Sequence, residues 1–214
     1  MHAVTIVTRV FDGVEAEARL RVLGTDAESL LAVILKGEYA RAEATDHDPI
    51  AAGPLDAYRY RVRGFRDHHV PLGWMVDREG GVEKTWSPCG KHVVITRAGD
   101  EGVGQRGTFP QPKRPTGSGT RGIVDGGLLL DPSWLNATSG RTPDFSTWMF
   151  LVAREGDIVR AELSWPTGIT EQGDVLGWYE RILLPEIDLA DPDRLQAIPS
   201  DVADVIDVPV VRKR

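Results

Sequence analysis

Apolar residues along this chain recur mostly at every second position, with one clear stretch at helical spacing. From 146 to 184 three strand-like runs follow one another. Residues 148–153 are almost continuously apolar, as in a strand buried on both faces. Glu155-Gly156-Asp157 then gives a glycine turn between two runs, a hairpin signal. Beyond it Val159, Ala161, Leu163 and Trp165 alternate with Ile158, Arg160, Glu162 and Ser164, the period of a strand with one face on a core. Pro166 and Gly168 are expected to end that run, because proline donates no ladder bond. Residues 174–184, stopped by Pro185, read as a third strand. Trp148, Trp165 and Trp178 fall in this block and are expected in the core, where large aromatics contribute much of the buried area.

The N-terminal half repeats the alternating pattern. Residues 4–11 are strand-like, Asp12-Gly13 reads as a hairpin turn, and Ala16, Ala18, Leu20 and Val22 alternate with Glu15, Glu17, Arg19 and Arg21. A helix can also be written there, since Glu, Ala, Arg and Leu favour it, but the alternation favours a strand. Thr25-Asp26-Ala27-Glu28 reads as a capping box, and Leu30, Leu31, Ile34 and Leu35 follow at helical spacing, so a helix is predicted over 26–42. Residues 45–55 read as a loop. Tyr58, Tyr60 and Val62 alternate with Arg59, Arg61 and Arg63, predicting a strand. Residues 74–78 and 82–86 flank Glu79-Gly80-Gly81 as a further hairpin, and 92–97 is another strand.

From 98 to 122 the periodicity stops. Residues 111–122 carry no apolar side chain besides their prolines, the composition of a mobile loop or linker. Residues 123–124 and 128–130 are expected to form a hairpin or bulged strand. Asp131-Pro132-Ser133-Trp134 has the form of a short helix start. Helical turns are expected near 191–196 and after Ser200-Asp201. The tail from 208 to 214 is apolar, then basic, as an edge strand or docking segment would be.

The predicted fold class is α+β: a predominantly antiparallel sheet built from hairpins, with one main N-terminal helix and short C-terminal helical turns. Two modules, 1–98 and 123–214, would be joined by a Gly/Pro-rich basic loop at 99–122. One continuous sheet is the alternative.

Composition narrows the partners. With 25 basic and 32 acidic residues the net charge is −7, which argues against a general nucleic-acid coat but leaves room for a local basic patch. A single cysteine excludes an intramolecular disulfide framework and suits a reducing cytoplasm. No run approaches the ~18 apolar residues of a membrane span, and no export signal opens the chain, so a soluble cytoplasmic protein is expected.

Candidate chemistry is sparse. Cys89 and His92 are separated by two residues, a spacing that lets one turn present both to zinc, with His68 or His69 as a further ligand. The plainer reading is a small thiol and ordinary histidines. Asp144 and Glu162 are an acidic pair of the kind that holds magnesium in a nuclease, but a Lys would be expected two residues after the Glu, where Ser164 stands. No nucleophile elbow or phosphate-binding glycine loop occurs. Arg59, Arg61 and Arg63 would share one strand face beside Arg66, and Lys113, Arg114 and Arg121 would extend that basic surface. Pairing of the row with Glu15 and Glu17 is the structural alternative. The expected function is a non-enzymatic binding or assembly subunit acting with another protein or a nucleic acid, with no cofactor. The alternative is a metal-dependent hydrolase, such as a nuclease, using Asp144 and Glu162 with magnesium, or zinc at His69, Cys89 and His92.

Overall fold

A computed structural model describes residues 7–126 and 145–191. Strand β1 (Arg9–Phe11) is followed by helices α1 (Gly13–Leu23), α2 (Ala27–Ala42) and α3 (Ala52–His69). A short 3₁₀ turn at Val70–Leu72 leads to strands β2 (Met75–Asp77), β3 (Lys84–Trp86) and β4 (His92–Ala98). Helix α4 (Ser118–Val124) precedes β5 (Ser146–Glu155), β6 (Ile158–Ile169), β7 (Val175–Leu183) and β8 (Ile187–Asp188). The strands form one sheet in the order β1-β7-β6-β5-β4-β3-β2, with β8 paired to β6. Strands from both sides of residues 99–122 contribute to it.

The sheet is mixed. β4 pairs with β5 in parallel, His92 opposite Ser146 through Ala98 opposite Val152, and β1 pairs with β7 in parallel. Four helices among the described residues and these parallel pairs overturn the expected hairpin-built antiparallel sheet with one main helix.

Two segments carry most of that correction. In α1 the buried residues are Ala16, Leu20 and Leu23, an i, i+4, i+7 stripe that coexists with the apparent alternation. Asp12-Gly13 starts this helix instead of turning a hairpin. In α3 the buried set Gly53, Ala57, Arg61, Phe65 and His69 recurs every four residues. The alternating tyrosines and arginines there are a by-product of polar residues filling the rest of the helix. α2 lies where helical spacing predicts it, one residue later than the capping box implied. Asp26 is the cap, its carboxylate accepting from the Ser29 amide at 2.7 Å.

The C-terminal runs form β5, β6 and β7, joined by the expected turn at Gly156. β6 does not stop at Pro166. It continues to Ile169 through register shifts opposite β7, so the proline sits at an irregularity where its missing donor is tolerated.

The sheet is buried on both faces. On one, Trp148, Phe150, Leu163 and Ile182 pack with Leu20, Leu30, Ile34 and Phe65 of the helices. On the other, Met149, Leu151, Ile169, Val175 and Trp178 pack with Ile95 and Val103. This two-sided burial is why β5 is apolar at consecutive positions. Residues 99–117 run along the second face. Val175 donates its amide to Gln111 Oε1 at 2.8 Å and accepts Gln111 Nε2–H at 3.1 Å, and Trp178 Nε1–H donates to the Pro110 carbonyl at 3.2 Å.

Ile123 and Val124 belong to α4, not to a strand. The readings made for 128–130, 131–134, 192–196, 200–201 and 208–214 lie outside the described residues, as does Asp144. Among the described residues no helix is long and apolar enough to cross a membrane.

Candidate functional site

The arginine row does not form, because successive residues of a helix turn by ~100°. Arg59 pairs with Asp56 at 3.1 Å and Arg63 with Asp67 at 3.5 Å, both exposed. Arg61 is 5% exposed and grips Glu38 of α2. Arg154 of β5 donates to the other oxygen of the same carboxylate at 2.8 Å. Glu38 thus ties α2 to α3 and to the sheet. The expected pairing with Glu15 and Glu17 is not made either: Glu17 accepts from Arg21 at 3.2 Å and from the Ala27 amide at 3.3 Å. Arg66 reaches Glu83 at 2.6 Å. Arg114 is exposed in the covering segment, and Arg121 lies in the last turn of α4.

The candidate zinc ligands are spent on local hydrogen bonds. His69 is fully buried and stacked on Phe65 at 3.9 Å between ring centres. Its Nδ1–H donates to the Phe65 carbonyl at 2.8 Å, so Nε2 accepts from the Thr25 hydroxyl, also at 2.8 Å. Burial pushes its pKa down to about 4. His68 contacts the Ser29 hydroxyl at 2.6 Å. Cys89 is exposed, and a hydrogen bond with the Ser87 hydroxyl leads the interactions that lower its thiol pKa. His92 Nδ1 lies 2.9 Å from the Ser146 hydroxyl, and burial lowers its pKa. Among the described residues no three His, Cys, Asp or Glu side chains gather as a metal site.

Glu162 is fully buried and saturated. One oxygen accepts from the Ser164 hydroxyl at 2.7 Å and Arg181 Nε at 2.9 Å; the other accepts from Arg181 Nη2 at 2.6 Å and the Gly104 amide at 2.8 Å.

Among the described residues two surface features are candidate ligand sites. A cavity of about 580 Å³ lies at the carboxyl ends of the parallel strands β4 and β5, lined by Asp100, Gln111, Lys113, Arg154, Glu155 and Arg160. Most of its charges are already engaged: Asp100 accepts the Gly102 and Gln111 amides, each at 3.0 Å, and Arg160 binds Glu155 at 3.2 Å and Glu186 at 2.7 Å.

The other is the outer edge of β2, which among the described residues pairs only with β3. Beside it Val70, Leu72, Met75 and Val76 are 42%, 59%, 58% and 39% exposed, while Trp74 between them is buried. Four large apolar side chains within seven residues are exposed beside a ladder edge that no described strand pairs. The sequence carried this signal as the apolar run 70–76 broken by Pro71 and Gly73, which prevent either regular period from burying it.

Searches against protein-family models, curated proteins and solved structures found no match to the chain.

Proposed function

We propose that the protein is a non-catalytic binding or assembly subunit that receives an extended segment of a partner protein along the free edge of β2. The observation that supports this reading is the coincidence of a ladder edge unpaired among the described residues with exposed Val70, Leu72, Met75 and Val76. An uncovered strand edge offers unpaired backbone donors and acceptors, and a partner strand satisfies them without needing a particular sequence. Apolar side chains on either side of the backbone give that strand its affinity and selectivity. A protein segment fits this surface better than a nucleic acid, because the groups presented are methyls and a thioether instead of a run of cations.

The hydrolase alternative is weaker on the same grounds. Every oxygen of Glu162 that a metal would need already accepts two hydrogen bonds.

The test compares the chain with its Leu72→Glu/Met75→Glu variant, each purified gently from the native source and weighed by native mass spectrometry. A stoichiometric protein partner that accompanies the unaltered chain, protects the 70–77 amides from hydrogen exchange and is lost from the variant is the expected result. A partner retained by the variant, or nucleic acid in place of protein, would overturn the edge as the docking surface. Magnesium-dependent hydrolysis abolished by Glu162→Gln in a folded protein would restore the enzyme.

A further inference from the structure

The last rung between the parallel strands β4 and β5 sets Ala98 opposite Val152, and the two chains part there. β4 turns off at Gly99, whose amide donates to the Val152 carbonyl at 3.0 Å. β5 runs on to Glu155 with β6 on one side and, among the described residues, no strand on the other. The cavity of about 580 Å³ occupies the crevice opened in this way. Parallel strands of open sheets leave room for ligands at this end.

Its walls are fixed by bonds of their own. Gly99 and Pro112 form an antiparallel bridge, flanked by the Asp100 amide on the Gln111 carbonyl at 2.9 Å and the Lys113 amide on the Ala98 carbonyl at 2.8 Å. The Asp100 carboxylate accepts two backbone amides, and the Gln111 side chain is clasped by the backbone of Val175. On the sheet side Ala153 and Arg160 are cross-strand partners. The volume is therefore pre-formed, and it falls within the ~300–1,000 Å³ usual for small-molecule sites.

Charge decides which molecules fit. Asp100, Glu101 and Glu155 are balanced in the lining by Lys113, Arg154 and Arg160, so a ligand of either net sign meets as many like charges as opposite ones. Most of the six are satisfied: Asp100 by its amides, Glu155 and Arg160 by each other at 3.2 Å, and Arg154 by Glu38 at 2.8 Å. Lys113 and Glu101 are exposed, and among the described residues neither side chain makes a hydrogen bond or an ion pair, with the other or with any third group. One unpaired cation and one unpaired anion at a neutral cavity complement a molecule that carries both signs and no net charge.

We propose that the cavity binds a free α-amino acid, its carboxylate on Lys113 and its ammonium on Glu101, with its side chain toward Pro112 and Ala153. A peptide end carries only one of the two charges, so the pairing selects the free amino acid. Strand β3 stands between β4 and β2, so this site is separate from the docking edge, and its test needs no partner.

The test is calorimetric titration of the full chain with each standard L-amino acid, then with the α-carboxamide and the des-amino acid corresponding to the tightest. Saturable binding of at least one amino acid is expected, weakened roughly tenfold or more by loss of either charge. In Lys113→Gln the carboxamide should bind as well as the amino acid, while the des-amino acid stays weaker. In Glu101→Gln the des-amino acid should match the amino acid, while the carboxamide stays weaker. Both replaced side chains are exposed and unpartnered, so both variants should unfold at the parent's urea concentration. Should either variant not fold, the comparison of the three ligands on the parent decides alone. Absence of saturable heat with every amino acid, equal or tighter binding of a ligand lacking one charge, or selectivity unchanged in the folded variants would overturn the site.

Discussion

Arg181 holds Glu162 through two hydrogen bonds, at 2.9 Å and 2.6 Å, with both side chains almost wholly out of water. The pair also secures the segment above it. Arg181 donates to the carbonyls of Thr108 at 2.7 Å and Gln105 at 3.1 Å, while Glu162 accepts the Gly104 amide. A segment with few apolar residues is thereby fastened to the sheet by charge-assisted bonds.

Removing one member of this pair should cost far more than the pair contributes net, because the survivor is left buried and uncompensated. Glu162→Ala is expected to destabilise the fold by about 3–5 kcal/mol, and Arg181→Met/Glu162→Leu together by considerably less. Urea denaturation of the parent and the two variants measures this. Hydrogen exchange at Gly104 should accelerate in Glu162→Ala before global unfolding does. A single variant that unfolds like the parent would show that the pair is dispensable.

His69 makes stability depend on pH. Its folded pKa, about 4, lies below the ordinary histidine value near 6.5, so between these values the unfolded chain binds more protons than the folded one. Stability should therefore rise with pH from about 4 to 6.5 and then level, with a contribution of roughly 3 kcal/mol from this residue. Urea midpoints across that range check it. His69→Gln should flatten the slope within the window, leaving the part due to carboxylates at its acid end. An unchanged slope in that variant would assign the dependence to other groups.

Gly37 permits α2 and α3 to meet. A Cβ built there would lie 2.8 Å from the Ala57 carbonyl and against the Arg61 side chain. Alanine is the better helix former by about 1 kcal/mol, yet Gly37→Ala is expected to destabilise by about 1–3 kcal/mol through overpacking. Arg61→Glu should fare worse, since it sets a second buried carboxylate beside Glu38. Thermal unfolding compares them. A stabilised Gly37→Ala would mean that the helices can separate at little cost.

The elements legible in the sequence were those whose pattern had one reading. β5 to β7 announced themselves through apolar runs around Gly156, and α2 through Leu30, Leu31, Ile34 and Leu35. α1 and α3 read as strands from sequence because small and charged residues blur the helical stripe: Ala16 and Ala18 alternate as neatly as strand residues, and Arg61 occupies a core position where the pattern calls for an apolar side chain. Only the depth of Glu38 reveals why an arginine belongs there. Parallel pairing of β4 with β5 depends on a long crossover, and nothing in either strand encodes it. β2 is the hairpin arm its sequence pattern predicts; that no other described strand pairs its outer side is a property of sheet order.

Exposed side chains at that edge set the last prediction. Leu72 and Met75 are 59% and 58% exposed, so they contribute little burial to the folded chain. Leu72→Glu/Met75→Glu should change folding stability by no more than about 0.5 kcal/mol per site, the usual range for surface substitutions. The same change places two carboxylates beside an unpaired ladder and should suppress association through it, as charged residues do on natural edge strands. Sedimentation of the isolated chain at rising concentration, alongside its urea midpoint, separates the two effects. An unchanged midpoint with reduced association is the expected pair of results. A large loss of stability would mean instead that these side chains are needed inside the fold, and the edge would then be covered rather than open.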